Sequence, residues 1–170
     1  MRTTSAPTDQ PTSRAKRSLA GGILPLIGTI LFVIVTILQF AGGAGEHWGP
    51  QLVTNAVTYM IGWAGVGAGI SHLFFSNKVT KTIGFEKSPY QLELGFADLS
   101  MGIVALMAAS YSTEFALSVI LVSSFYRFGC GIGHIRSMIK DHNFAVNNTL
   151  ILFTNFLVPA FLIFAYYNWA

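Results

Sequence analysis

Ionisable side chains recur inside long apolar runs of this chain, where a hydrocarbon environment makes them costly. The stretch RFGCGIGHIR follows the apolar run FALSVILVSSFY and carries Arg127 and His134. A charged group in the middle of a membrane costs about 2.5–3.5 kcal/mol or more, so such residues turn towards the interior of a helix bundle and mark paired groups or functional sites. Because Arg127 and His134 are seven residues apart, about two helical turns, they lie on one helix face.

Placed by depth along the predicted helices, the polar residues form two layers in one half of the membrane, at about 1.5 Å per residue. The layer nearer the boundary consists of His72, Glu93, His134 and Asn148. The deeper layer, roughly 12 Å inside the boundary by the same rise, consists of Asp98, Arg127 and Asn155. We predict that these residues line a cytoplasm-facing polar pocket that binds a small ligand or ion, or relays protons.

Other interpretations of the same residues stay open at this point. His72, Glu93 and His134 form a candidate metal site, because imidazole and carboxylate ligands suit zinc or iron. Arg127 and Asp98 could instead form a buried ion pair that only fixes the register of two helices. The whole cluster could also be structural, with no ligand.

The composition indicates an integral membrane protein with one compact helical domain. Of 170 residues, 52% are hydrophobic and only 10% are charged, whereas a soluble domain carries about 25% charged residues. The net charge of +3 is modest, and no basic face with base-stacking residues is visible, so nucleic acid is not an expected partner. The single cysteine, Cys130, excludes an intrachain disulfide and is expected to pack as a small residue.

Five apolar runs of spanning length predict an all-α, polytopic transmembrane bundle over residues 19–170, after a disordered basic tail over residues 1–18. Pro159 is expected to kink the last span or to open it locally. The predicted spans are approximately 19–40, 51–75, 91–110, 115–138 and 147–167.

The distribution of basic residues predicts the orientation of these spans. Lysine and arginine occur in the N-terminal tail, in the 76–90 loop and after the fourth span, but not in the 41–50 loop, the 111–114 loop or the C-terminus. The positive-inside rule therefore predicts a cytoplasmic N-terminus and an outside C-terminus.

Two glycine pairs have the small-xxx-small spacing that lets helix backbones approach closely. Gly65 and Gly69 lie in the second span, and Gly129 and Gly133 lie in the fourth. These faces are expected to contact neighbouring helices, or a second copy or membrane partner.

Three stretches, SPYQLELGFADLSMGIVAL, FGCGIGHIRSMIKDHNFAVNN and NFLVPA, resemble the bacterial membrane proteins grouped as domain of unknown function 6790. The resemblance covers roughly residues 60–165. It implies the topology and the choice of residues rather than a reaction, because the family has no established activity. A more distant likeness, in size and helix count, is to DoxX-like membrane proteins, some of which are quinone-linked redox subunits. The matching motif residues are Ser88, Pro89, Glu93, Gly95, Gly131, His134, Asn143 and Asn148.

Three functional hypotheses follow for a multi-pass protein of a bacterial inner membrane in contact with lipid. The leading hypothesis is a protein without enzymatic activity that binds a ligand or ion, or relays protons, through the two polar layers. The second is a membrane oxidoreductase or redox subunit that uses quinone or a metal. The third is a structural or assembly partner that acts through its glycine-rich faces.

Overall fold

The computed structural model describes residues 26–43 and 47–170, and within these residues the chain forms five helices and no strand. This confirms the predicted all-α bundle. The predicted tail and the start of the first predicted span lie outside the described residues. The helices are α1 (Ile27–Ala41), α2 (Trp48–Ala56, Val57–Trp63 and Ala64–Ile83 in succession), α3 (Gln91–Ser110), α4 (Thr113–Lys140) and α5 (Val146–Trp169).

Three of the helices, α3, α4 and α5, are long and apolar enough to cross a membrane. The described part of α1 is a shorter apolar helix, and α2 is not among the candidate spans. Large apolar side chains are exposed along the bundle, among them Phe74, Phe125 and Tyr167, as expected for surfaces that face lipid. Five spans and their orientation stay predictions.

Two helices contain a π-helical segment, Val57–Trp63 in α2 and Phe153–Leu157 in α5. In a π-helix the carbonyl of residue i accepts from the N–H of residue i+5. The carbonyl of Thr154 would therefore need a donor at position 159, which is proline and has no N–H. Pro159 thus explains a local opening of α5, while the segment in α2 contains no proline.

The close approach predicted for Gly65 and Gly69 occurs within the chain, between α2 and α3. A Cβ added at Gly65 would lie 2.9 Å from the Cα of Gly102, and one added at Gly69 would lie 2.8 Å from the carbonyl oxygen of Gly95. Only glycine lets the two backbones come this close. This face of α2 is covered by α3.

The second glycine pair behaves differently from the prediction. A Cβ added at Gly129 or Gly133 would meet no other atom of residues 26–43 and 47–170 within 4 Å. The helix that approaches α4 does so at Gly131, where an added Cβ would lie 2.6 Å from the ring of Phe156. The expected contact through Gly129 and Gly133 is therefore wrong, because these two residues lie on the outer side of α4 and Gly131 lies on its inner side.

The apolar core lies towards one end of the bundle, away from His72 and His134. The core joins the first half of α2 to the end of α3, the start of α4 and the end of α5. Beside it, the buried Asn55 holds α1 to α2, since its Nδ2 donates to Gln39 Oε1 at 2.6 Å and to Thr36 Oγ1 at 3.3 Å. The principal core residues are Ala56, Val57, Met60, Ile61, Ala105, Val119, Ile120, Val158 and Leu162.

Gly102→Ala is expected to destabilise the bundle, because the new Cβ would lie 2.5 Å from the backbone nitrogen of Val66. Overpacking of this kind costs about 1–3 kcal/mol. Gly129→Ala is the matched control and should be neutral or stabilising by up to about 1 kcal/mol, since alanine is the better helix former. Unfolding of the detergent-solubilised variants, followed by circular dichroism, measures the difference. Equal stability of the two variants would contradict the packing described for α2 and α3.

Candidate functional site

Arg127 projects from α4 into the bundle and makes three hydrogen bonds. Its Nη2 donates to the carbonyl oxygen of Met60 at 2.7 Å, and its Nη1 donates to that of Thr154 at 3.1 Å. Its Nε donates to Ser123 Oγ, one turn earlier on α4, at 3.4 Å. One guanidinium therefore joins α4 to both α2 and α5.

The two carbonyls that Arg127 binds belong to the two π-helical segments. A backbone carbonyl that lacks a partner inside a membrane costs several kcal/mol, and irregular helix turns create such groups. Arg127 supplies the donors from a third helix. The sequence prediction of an Arg127–Asp98 ion pair is wrong for this arrangement, since no carboxylate oxygen of the described residues lies within 4.0 Å of the guanidinium.

Asp98 faces His72 instead. The Nε2 of His72, on α2, lies 3.9 Å from Oδ2 of Asp98, on α3, and both side chains are largely buried, with 13% and 14% exposed. The other ring nitrogen of His72, Nδ1, lies 2.7 Å from Oε1 of Gln91 at the start of α3. The glycine contacts between α2 and α3 bring these side chains within reach of each other.

The hydrogen bond between His72 and Gln91 indicates which ring nitrogen of His72 carries a proton. An amide oxygen only accepts, so Nδ1 carries the proton that Gln91 receives. With Nε2 also protonated, the ring would face an ionised Asp98 as an imidazolium; with a lone pair on Nε2, a protonated Asp98 could donate towards it. Either partner can therefore carry a proton on the side where the two side chains face each other.

Further polar groups lie on both sides of the His72–Asp98 pair, towards α4 and towards the protein surface. On the inner side, the hydroxyl of Tyr126, on α4, interacts with the carboxyl group of Asp98, on α3, and with the thiol of Cys130, one turn further along α4. On the outer side, Gln91 lines an open recess of about 320 Å³, together with Tyr90 and the exposed Glu93. A chain of polar groups thus leads from the surface of α3 to the interior face of α4.

His134 lies in a separate cluster near the end of α4. It is buried, its Nδ1 lies 2.6 Å from Oδ1 of Asn148, and its ring stacks on Phe85 with a centroid distance of 5.3 Å. Asn148 is fully buried, and its Nδ2 donates to the carbonyl oxygen of Asn143 at 2.8 Å. This orientation of the amide makes Nδ1 of His134 a donor.

Asn143 closes this end of the bundle. Its Nδ2 donates to the carbonyl oxygen of Ile83 at 2.9 Å, which ties the loop after α4 to the end of α2. Gly84 ends α2 with a φ of +73°, and a Cβ there would collide with Oδ1 of Asn143. The position requires glycine, because a left-handed conformation is unfavourable for other residues. The contacts around His134 are those of a structural cap.

The structure therefore divides the predicted site residues among several places. His72 and Asp98 lie together, Arg127 lies at the π-helical segments, His134 and Asn148 form the cap, and Asn155 is buried in the π-helical part of α5. The proposed metal ligands His72, Glu93 and His134 are not assembled. Among residues 26–43 and 47–170, no three His, Cys, Asp or Glu side chains are grouped closely enough to hold a metal ion.

Sequence reasoning missed Gln91, Tyr126 and Phe85. In the sequence, Gln91 is only the first residue of a predicted span, and Tyr126 is only the last residue of an apolar run. Tyr126 could have been found from its position four residues before Cys130 and next to Arg127. Phe85 could not, because its stacking on His134 depends on the path of the loop between α2 and α3.

Comparison with known families gives one match to the chain. A family described as a family of unknown function, DUF6790, matches residues 22–170, and this confirms the family resemblance found in the sequence. No curated protein and no solved structure matches the chain. The more distant likeness to DoxX-like proteins stays a prediction.

Arg127→Gln is expected to destabilise the protein severely, because glutamine cannot donate to both helical carbonyls. Each orphaned buried acceptor costs about 1–3 kcal/mol. Arg136→Gln makes the same change at an exposed position of α4 and should alter stability by no more than about 0.5 kcal/mol. Thermal unfolding in detergent compares the two. Similar melting temperatures for both variants would show that Arg127 does not hold the π-helical segments.

Proposed function

We propose that this chain, which belongs to the family of unknown function DUF6790, is a multi-pass protein of a bacterial inner membrane that binds and relays protons at the His72–Asp98 pair. The observation that carries the proposal is the geometry of the His72 ring, with Gln91 at one nitrogen and Asp98 at the other. Either partner of such a pair can bind a proton and pass it to the other.

The proposed arrangement has five spans, a cytoplasmic N-terminus and an outside C-terminus. The basic residues support it, since they alternate between loops as the positive-inside rule requires. The lengths and hydropathy of α3, α4 and α5 support it as well. In this orientation the recess beside Gln91 opens near the cytoplasmic boundary of the membrane.

A proton would enter by the recess and reach the pair at His72. The separation of 3.9 Å between Nε2 and Oδ2 exceeds hydrogen-bond length, and a small side-chain rotation or one bridging water molecule closes it. The proton then passes between imidazole and carboxylate, and Tyr126 offers the next hydroxyl group towards α4. No bond other than those to the proton is made or broken.

Other hypotheses from the sequence receive less support. A redox role with metal lacks an assembled ligand set in the described ranges. A role as a scaffold through Gly65 and Gly69 would need a face that α3 occupies. Binding of a ligand other than the proton at the His72–Asp98 pair stays a prediction.

Asp98→Asn is expected to remove a proton-binding group. In infrared spectra of reconstituted protein in heavy water, lowering the pH should produce a carboxylic acid band that is absent from Asp98→Asn. His72→Gln should change the pH at which this band appears, because the carboxyl group loses the imidazole that lies 3.9 Å from it. In proteoliposomes, proton uptake by Asp98→Asn should fall to the level of protein-free vesicles.

Glu86→Gln, at an exposed position of the loop between α2 and α3, is the matched control and should leave the band and the uptake unchanged. An unaltered band in Asp98→Asn, with the variant folded, would refute the assignment of the proton to this pair.

A further inference from the structure

The surroundings of Arg127 contain more hydrogen-bond donors than acceptors. A guanidinium has five N–H donors, and three bonds account for Arg127, all to uncharged oxygens. Asp98 lies beside His72 and acts on the Arg127 charge from more than 4.0 Å away, without an ion-pair contact. In the part of the chain that the structure describes, the positive charge has no carboxylate within 4.0 Å.

Two further polar atoms on the same helix faces are buried without a partner in the described residues. One is Nδ2 of Asn155, whose side chain is only 5% exposed, and the other is Oγ of Ser124. Asn155 follows Thr154, the residue whose carbonyl Arg127 binds, and its Cβ lies 3.2 Å from the position of an added Cβ at Gly131. Ser124, Arg127 and Gly131 succeed one another on a single face of α4, at helical spacing.

We propose that a small monovalent anion, a halide or a short carboxylate, binds between α4 and α5 at Arg127, Asn155 and Ser124. A cation, an amide N–H and a hydroxyl are all hydrogen-bond donors, and an anion is the acceptor that suits such a set. Buried unsatisfied donors call for an unseen water or ion, and an unpaired buried charge is costly. Water satisfies the donors, whereas an anion also neutralises the guanidinium.

The site is separate from the proposed proton pair. It lies on the α4–α5 side of the bundle, and it uses neither His72 nor Asp98. The anion would join the two helices where the π-helical segment of α5 weakens its backbone hydrogen bonding, so its binding should be visible as stability of the fold.

The first test measures melting temperature at constant ionic strength in chloride, bromide, formate or gluconate, whose anion is too large for a buried site. Chloride or formate at about 100 times the Kd should raise the melting temperature by roughly 5–10 °C over gluconate. Stabilisation by the halides identifies a spherical anion, and stabilisation by formate identifies a carboxylate. Equal melting temperatures in all four salts would refute the proposal and leave water as the occupant.

The second test supplies the anion covalently. Asn155→Asp places a carboxylate beside Arg127, so its melting temperature in gluconate should rise to that of the wild type in the stabilising salt and should no longer depend on the salt. Asn168→Asp, the same change at an exposed position of α5, is the control and should keep the wild-type salt dependence. Salt dependence in Asn155→Asp equal to that of the control would contradict the site.

A third measurement does not depend on any variant. Crystals grown in bromide should show anomalous density within contact distance of Asn155 Nδ2 and the Arg127 guanidinium if the occupant is a halide. In that case, density confined to the protein surface would overturn the assignment. Neither this result nor the melting temperatures depend on proton uptake, so failure of the anion site and failure of the proton pair can be told apart.

Discussion

The packing of α2, α4 and α5 depends on the hydrogen bonds between Arg127 and two backbone carbonyls. Inside a membrane every backbone polar group needs a partner from the protein, because lipid offers none. The π-helical segments of α2 and α5 leave the carbonyls of Met60 and Thr154 available, and the guanidinium binds both. A residue that looks from the sequence like a functional charge thereby stabilises the irregular parts of two helices.

The contact between α2 and α3 depends on a different constraint, the absence of side chains. Gly65, Gly69, Gly95 and Gly102 let the two backbones approach until a single added Cβ would collide. This short distance brings a histidine on one helix opposite a carboxylate on the other. The proposed proton pair is therefore a consequence of glycine packing as much as of its own chemistry. The proposed anion site lies between α4 and α5, where the hydrogen bonds of Arg127 all go to uncharged oxygens.

Polar residues that share one depth in the membrane serve three different purposes. His134 and Asn148 connect the loop ends and are satisfied by neighbouring amides and by a stacked phenylalanine. Arg127 supports the backbone. His72 and Asp98 face each other, and His72 is linked through Gln91 to a surface recess. The predicted depth of these residues correctly indicated that they face the interior, except for the exposed Glu93. It did not indicate which of them contact one another.

The all-α fold, the family and the inward orientation of most polar residues could be predicted from the sequence. The orientation was predictable because each polar residue is costly in hydrocarbon whatever its neighbours are. The sequence also predicted the opening of α5, since the missing N–H of Pro159 is a property of that residue alone. Tertiary structure decided which residues meet. Asp98 faces His72 rather than Arg127. The contact of α4 with α5 occurs at Gly131 rather than at Gly129 and Gly133. These choices depend on the rotation of each helix about its axis, and that rotation is determined by packing against neighbouring helices, which no single segment of the sequence encodes.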